Sequence, residues 1–115
     1  MAGDWSGTLE SSSFSTQTIS AKFFQEVDCV DATWHTVSSG PRWVGAISAF
    51  AGPGSLNGQM SFEFPVSGKL CSGVGNLTGG ATSDTATLTW TITGYSTATC
   101  TSEVPNLMIV KLRRQ

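Results

Sequence analysis

The chain has 115 residues, 39% of them hydrophobic, which suits one domain, residues 1–115, with a core of its own. Only 12% of the residues are charged, and serine, threonine and glycine take their place, which favours a β surface over helices. The formal net charge of −2 excludes the basic surface that nucleic-acid binding requires, and no apolar run is long enough for a membrane-spanning helix.

Alternating apolar and polar residues predict a succession of β-strands, each with one apolar and one polar face. In chain order, strands are expected at residues 5–12, 18–27, 32–37, 42–50, 56–64, 86–94 and 106–113, with a further strand-like stretch beyond Cys71. Turn-forming residues separate the strands, among them residues 38–41 and the pair Gly79 and Gly80.

Three of these segments carry specific expectations about their faces. In 86–94, Leu88, Trp90 and Ile92 alternate with threonines, so this strand has a clearly apolar side. In 18–27, Gln25 falls on the apolar side, which predicts a polar residue facing inward. In 106–113, both faces are apolar, which predicts that both are covered.

About eight antiparallel strands with regular turns fit either a β-sandwich or a β-barrel. We expect an all-β, antiparallel up-and-down β-barrel of about eight strands, because closure removes the sheet edges that threonine-rich strands would otherwise expose. A barrel of this size either fills with side chains or holds one small ligand.

Three cysteines, Cys29, Cys71 and Cys100, occur without a CxxC pair and with a single histidine in the chain, so no metal site is expected. A disulfide between Cys71 and Cys100 is favoured, because both lie at the ends of predicted strands that flank 86–94. Cys29 is then a free thiol. The alternative is three unpaired buried thiols in a cytoplasmic protein.

The two ends of the chain carry a family resemblance. Residues 3–7, Gly-Asp-Trp-Ser-Gly, resemble the Gly-x-Trp opening of the calycin barrels, the lipocalin and avidin kind. Arg113 or Arg114 resembles the basic residue that packs over that tryptophan on the closing strand. The chain is most similar to short lipocalin-like barrels of bacterial secreted proteins, and this resemblance implies a barrel that binds small apolar molecules.

The predicted inward faces define a candidate hydrophobic pocket. If each strand turns its apolar side to the lumen, the walls are aromatic and carry few polar groups. Trp43, near the turn at Gly40 and Pro41, is expected at the mouth. The alternative is that the same side chains fill the interior completely. The candidate ligand-binding residues are Phe23, Trp43, Ile47, Met60, Phe62, Phe64, Leu88, Trp90 and Ile92.

Titratable groups gather in residues 25–35. Cys29 with His35 as its base would form a nucleophilic pair, but Asp28 and Asp31 are also ordinary turn residues, so no catalytic residue is assigned. A barrel isomerase or cyclase acting on an apolar substrate, with Glu26 or His35 at the rim, is one alternative function. Another is a filled barrel that contacts a protein partner through Phe24 and Trp34.

The leading expectation is therefore a carrier that binds a small hydrophobic molecule inside the barrel, without a cofactor. No nucleic acid or membrane span is expected among its partners, and the oligomeric state stays open. Met1 and Ala2 precede the first strand as if they replaced a leader, which predicts a secreted or periplasmic protein.

Overall fold

The computed structural model describes residues 1–12, 14–37, 42–66, 68–96, 100 and 106–115. Eight β-strands run through these residues. In chain order they are β1 (Gly3–Ser11), β2 (Phe14–Glu26), β3 (Cys29–Thr36), β4 (Val44–Gly52), β5 (Ser55–Val66), β6 (Lys69–Ala81), β7 (Thr85–Tyr95) and β8 (Leu107–Arg114). The described part of the chain contains no helix long and apolar enough to cross a membrane.

The strands form one closed barrel. Each pairs antiparallel with the next strand in sequence, and β8 returns to pair with β1. The closing ladder runs from Trp5 opposite Arg114 to Glu10 opposite Ile109. The predicted all-β, antiparallel up-and-down barrel is therefore confirmed, and the sandwich alternative is wrong because the sheet closes on itself.

Alternation along each strand places the core inside this wall. On β7, Ala86, Leu88, Trp90 and Ile92 are buried, while the threonines between them are exposed or half-buried. Burying one large apolar side chain contributes about 1.5–3 kcal/mol to stability, so the apolar faces of eight strands determine which side turns inward. The resulting core draws residues from every strand.

Two local expectations, about a turn at Gly79 and Gly80 and about the side chain of Gln25, are wrong. Gly79 and Gly80 form no turn, because they pair with Leu88 and Thr87 inside the β6–β7 ladder, and the turn follows at residues 82–84. Gln25 lies at the end of β2, where its exposed side chain accepts a hydrogen bond from the N-terminal ammonium instead of facing the core.

The expectation that both faces of β8 are covered is also wrong, since Leu107 is exposed while Met108 and Val110 are buried. The predicted turn at residues 38–41 lies outside the described residues.

The two ends of the barrel carry different stabilising contacts. At the end where the chain begins, the Arg114 guanidinium lies 5.5 Å from the Trp5 ring centroid, so of the two arginines predicted from the resemblance it is Arg114 that packs over the tryptophan. At the other end, a disulfide joins Cys71 to Cys100, with 5.6 Å between their Cα atoms. The predicted pairing is confirmed, and Cys29 is a free, exposed thiol.

Val27, in the two-residue turn between β2 and β3, has a φ of 58°. Branching at Cβ makes this left-handed conformation costly, whereas asparagine tolerates it. We expect Val27→Asn to raise the free energy of unfolding by about 1 kcal/mol, measured by urea denaturation. Val37→Asn, at another exposed valine and without a positive φ, is the control and gives no such gain. Equal or lower stability of Val27→Asn would contradict the expectation.

Candidate functional site

The nine candidate ligand-binding residues are all buried, each with 9% or less of its surface exposed. They belong to a single hydrophobic core cluster, so the inward faces assumed from the sequence are the faces that the structure buries. Their contact with a ligand stays a prediction.

Aromatic rings pack in a continuous series through the half of the barrel that contains the disulfide. Trp43 stacks on Phe64 with ring centroids 4.5 Å apart, and it also contacts Phe62 at 5.6 Å. Phe62 meets Trp90 edge to face at 5.7 Å, and Trp90 meets Trp34 in the same manner at 5.8 Å. Ring pairs at these separations and angles are favourable contacts. We call these five side chains the aromatic cluster.

Backbone hydrogen bonds position Trp43 at the end of this cluster. The Trp43 N–H donates to the Thr36 hydroxyl at 3.0 Å, and the Thr36 N–H donates to the Trp43 carbonyl at 2.9 Å. Thr36 is the one buried polar residue in the part of the chain that the structure describes, and its hydroxyl and N–H both take part in these bonds. Trp43, one residue before β4, is therefore fixed to the last residue of β3, and its place at the mouth of the lumen stays a prediction.

A pocket of about 690 Å³ opens on the outer wall, beside the aromatic cluster. Trp34 and Phe62 border it from the core side, and their buried rings lie directly behind Gly45 and Gly73. Its sides are formed by outward-facing residues of four neighbouring strands and by the residue that precedes β4 by two positions. These are Thr33, His35, Arg42, Val44, Ala46, Ser61, Glu63 and Ser72, with Gly45 and Gly73 between them.

The pocket lies where the pairing of β4 with β5 is interrupted. Their ladder pairs Val44 with Glu63 and resumes with Ile47 opposite Met60. Between these pairs, the Trp34 Nε1–H donates to the Ser61 carbonyl at 3.1 Å, and the Ser61 hydroxyl accepts from the Ala46 N–H at 3.2 Å. Side chains thus satisfy backbone groups of β4 and β5 at the point where the two strands lack their usual ladder hydrogen bonds. We call this place the wall opening.

Glycine is required at position 45 because of this packing. A Cβ there would overlap the Ser61 carbonyl oxygen and lie 2.5 Å from Trp34 Nε1. We expect Gly45→Ala to lower the free energy of unfolding by about 1–3 kcal/mol, since the indole or the strand must move. Gly94→Ala is the matched control, because a Cβ on Gly94 meets no atom within 4 Å. Urea denaturation of both variants checks the expectation, and equal stabilities would refute it.

The rim of the pocket carries charge of both signs. His35, Val44 and Glu63 are successive cross-strand partners on the outer face, and Arg42 lies beside them. His35 Nδ1 lies 3.1 Å from the Thr36 carbonyl. A carbonyl only accepts hydrogen bonds, so Nδ1 is the donor in this contact. The rim therefore offers a guanidinium, a carboxylate and an imidazole beside two buried aromatic rings.

The groups considered for catalysis are not brought together. Cys29 and His35 lie at opposite ends of β3, six residues and therefore about 20 Å apart, so the nucleophilic pair is not formed. Glu26 and His35 both lie on the outer face of the barrel and present no acid or base to the lumen. Within the described ranges, no group of three or more His, Cys, Asp or Glu side chains could hold a metal ion.

Trp34 was misassigned to the outer surface. Its side chain is 2% exposed and forms part of the core. The signal that identifies it was present, because Val30, Ala32, Trp34 and Thr36 alternate with Cys29, Asp31, Thr33 and His35 along the strand. The interrupted pairing of β4 with β5 beside the Trp34 indole, by contrast, has no corresponding pattern in the sequence.

The structure supports the family resemblance only at the level of architecture, which is a closed, eight-stranded, antiparallel barrel. This architecture is consistent with the calycin-like fold in general. No protein-family model, curated protein or solved structure matches the chain.

Proposed function

We propose that this protein binds a small molecule with a flat apolar part, and that the ligand enters the wall opening between β4 and β5. The observation that carries the proposal is the pocket of about 690 Å³ bordered from the core side by Trp34 and Phe62. Sites for small molecules are concave, of about 300–1,000 Å³, with apolar surfaces and a few convergent polar groups. Phe62 is also one of the candidate residues from the sequence, and with Trp34 it links the pocket lining to the buried aromatic cluster.

The lining indicates the chemical class of the ligand. An aromatic ring is a flat apolar group that suits the lining around Gly45 and Gly73, behind which the Trp34 and Phe62 rings lie. Arg42 on the rim suits an acidic substituent, since a guanidinium pairs with carboxylate or sulfonate oxygens through two parallel hydrogen bonds. We therefore favour aromatic acids over long unbranched lipids.

Three features support a secreted or periplasmic carrier of the calycin type. The first is the closed barrel, the second is the Gly-x-Trp opening with its stacked arginine, and the third is the buried disulfide. Disulfides persist in oxidising compartments, so the Cys71–Cys100 bond is compatible with an extracellular or periplasmic location. The isomerase alternative depended on Glu26 or His35 facing the lumen, and neither does.

The binding of 8-anilinonaphthalene-1-sulfonate, an aromatic sulfonate whose fluorescence rises in apolar surroundings, tests the proposal. We expect saturable binding with one site per chain. Ala46→Trp places a large ring in the pocket from an exposed position on β4 and is expected to weaken binding about tenfold or more. Ser48→Trp, two residues along the same outer face, is the matched control and leaves the Kd within about twofold.

A second variant pair tests the acidic substituent. Arg42→Gln is expected to weaken sulfonate binding several-fold, whereas Lys111→Gln, at a cation on another face of the barrel, leaves it unchanged. Unsaturable fluorescence, or equal binding by Ala46→Trp and Ser48→Trp, would refute the proposed site.

A further inference from the structure

Three large apolar side chains lie exposed around the β2–β3 turn, away from the wall opening. Val27 is 87% exposed, Phe50 66% and Phe24 57%. These values are high for residues of this size in a barrel that buries almost all of its other aromatic rings. We call this surface the turn face.

The cross-strand pairing makes the turn face continuous. Phe50 lies opposite Cys29, and Phe24 lies opposite Asp31, two residues further along the same outer face of β3. The Ala51 N–H donates to the Asp28 carbonyl at 2.8 Å, which ties the β2–β3 turn to the strand that carries Phe50. The three apolar side chains therefore lie near one another, on the outer face around the first residues of β3.

The backbone of Val27 adds an independent observation. Its φ of 58° is unfavourable for a β-branched residue, and the side chain, almost fully exposed, buries little surface in return. Local strain of this kind marks positions where a side chain serves a purpose other than the stability of the fold. An apolar side chain at a strained, exposed position indicates a contact with another molecule.

Charge then indicates the chemistry of that molecule. Between residues 22 and 31 the chain carries one lysine and three carboxylates, Glu26, Asp28 and Asp31, whereas the five basic and five acidic residues elsewhere balance. Lys22 lies over the Phe24 ring, 5.9 Å from its centroid. This segment therefore accounts for the whole formal net charge of −2, and it contains Phe24 and Val27 and pairs with the strand that carries Phe50.

We propose that the turn face is a docking surface for a partner protein, through a segment in which apolar residues alternate with lysine or arginine. The apolar side chains of such a segment cover Val27, Phe50 and Phe24, and its cations pair with the surrounding carboxylates. A second copy of this chain would oppose carboxylates to carboxylates, and an anionic membrane would repel them. Charge complementarity thus selects the basic partner.

The test uses the isotope-labelled full chain and a short synthetic peptide in which lysine and leucine alternate. We expect the peptide to shift the amide resonances of residues 24–31 and 48–51 in two-dimensional NMR spectra, with an effect that salt weakens. Val27→Asn, expected to be the more stable protein, and Phe50→Ser should each raise the peptide Kd several-fold. Leu107→Ser, at an exposed apolar residue of β8, is the matched control and leaves the Kd unchanged.

Asp28→Asn combined with Asp31→Asn should weaken the lysine peptide, and a peptide with glutamate in place of lysine should not bind. Several results would overturn the proposal: shifts spread over other strands, equal Kd values for wild type and Val27→Asn, or binding of the glutamate peptide. Dimerisation abolished by Phe50→Ser in sedimentation would assign the face to a second copy instead. Shifts of the same residues on adding phosphatidylcholine vesicles would assign it to a membrane.

Discussion

Replacing Trp5 with alanine is expected to lower the free energy of unfolding by about 3–5 kcal/mol, the usual cost of truncating a buried large aromatic residue. Trp5 is fully buried and packs against Phe23, with ring centroids 5.6 Å apart. Its Nε1–H donates to the Met1 carbonyl at 2.9 Å, so the indole also holds the chain start over the barrel end. Urea denaturation followed by far-ultraviolet circular dichroism measures the loss.

Two milder variants separate the parts of this effect. Trp5→Phe keeps an aromatic ring in the core but loses the hydrogen bond to Met1, and we expect a smaller loss than for alanine. Arg114→Gln removes the guanidinium above the ring and should cost about 1 kcal/mol. If Trp5→Ala were as stable as Trp5→Phe, the packing of a ring at position 5 would not contribute to the stability of the barrel.

Removing the disulfide is expected to lower the free energy of unfolding by about 3–4 kcal/mol, because the bond closes a loop with a sequence separation of 29 residues in the unfolded chain. Cys71 and Cys100 are both buried, so we choose the double variant Cys71→Ala and Cys100→Ala to avoid burying new polar groups. Denaturant unfolding of this variant, and of the wild type under a reducing agent, should give similar values.

Cys29→Ser is the control for the disulfide experiment. Its thiol is free and exposed, so the substitution should leave the free energy of unfolding within about 0.5 kcal/mol of the wild type. A double variant as stable as Cys29→Ser would contradict the expected role of the disulfide.

The two proposed sites lie at opposite ends of β3, which allows each to be tested without the other. His35 marks the end at the wall opening, and Cys29 marks the end at the turn face. Ala46→Trp should therefore leave peptide binding unchanged, and Val27→Asn should leave binding of the aromatic sulfonate unchanged. Failure of one proposal does not imply failure of the other.

Much of the barrel could be predicted because strand faces are a local property. Leu88, Trp90 and Ile92 lie two residues apart, and a period of two fixes which side of a strand they share whatever the strand pairs with. Where that period was weak, the prediction failed. Glycine has no side chain to display a face, so Gly79 and Gly80 look like a turn in sequence although they continue β6.

The candidate site was only partly predictable. Phe62 was identified from its alternation with polar neighbours, and the structure places it on the core side of the wall pocket. His35 was considered as a rim residue, but for a pocket inside the barrel, whereas it lines a pocket on the outside. Arg42 and Glu63 carried no signal in sequence, since exposed charges occur on any outer face.

The sequence by itself determined the number of strands to within about one, their inward faces and the chemistry of the barrel ends, because these depend on residues close together in the chain or on a few distinctive side chains. Only the tertiary structure decided where the wall opens. That opening depends on the Trp34 indole reaching a carbonyl 27 residues away and on the absence of a Cβ at Gly45. Such contacts join residues that are far apart in sequence, so no local alternation of apolar and polar residues predicts them.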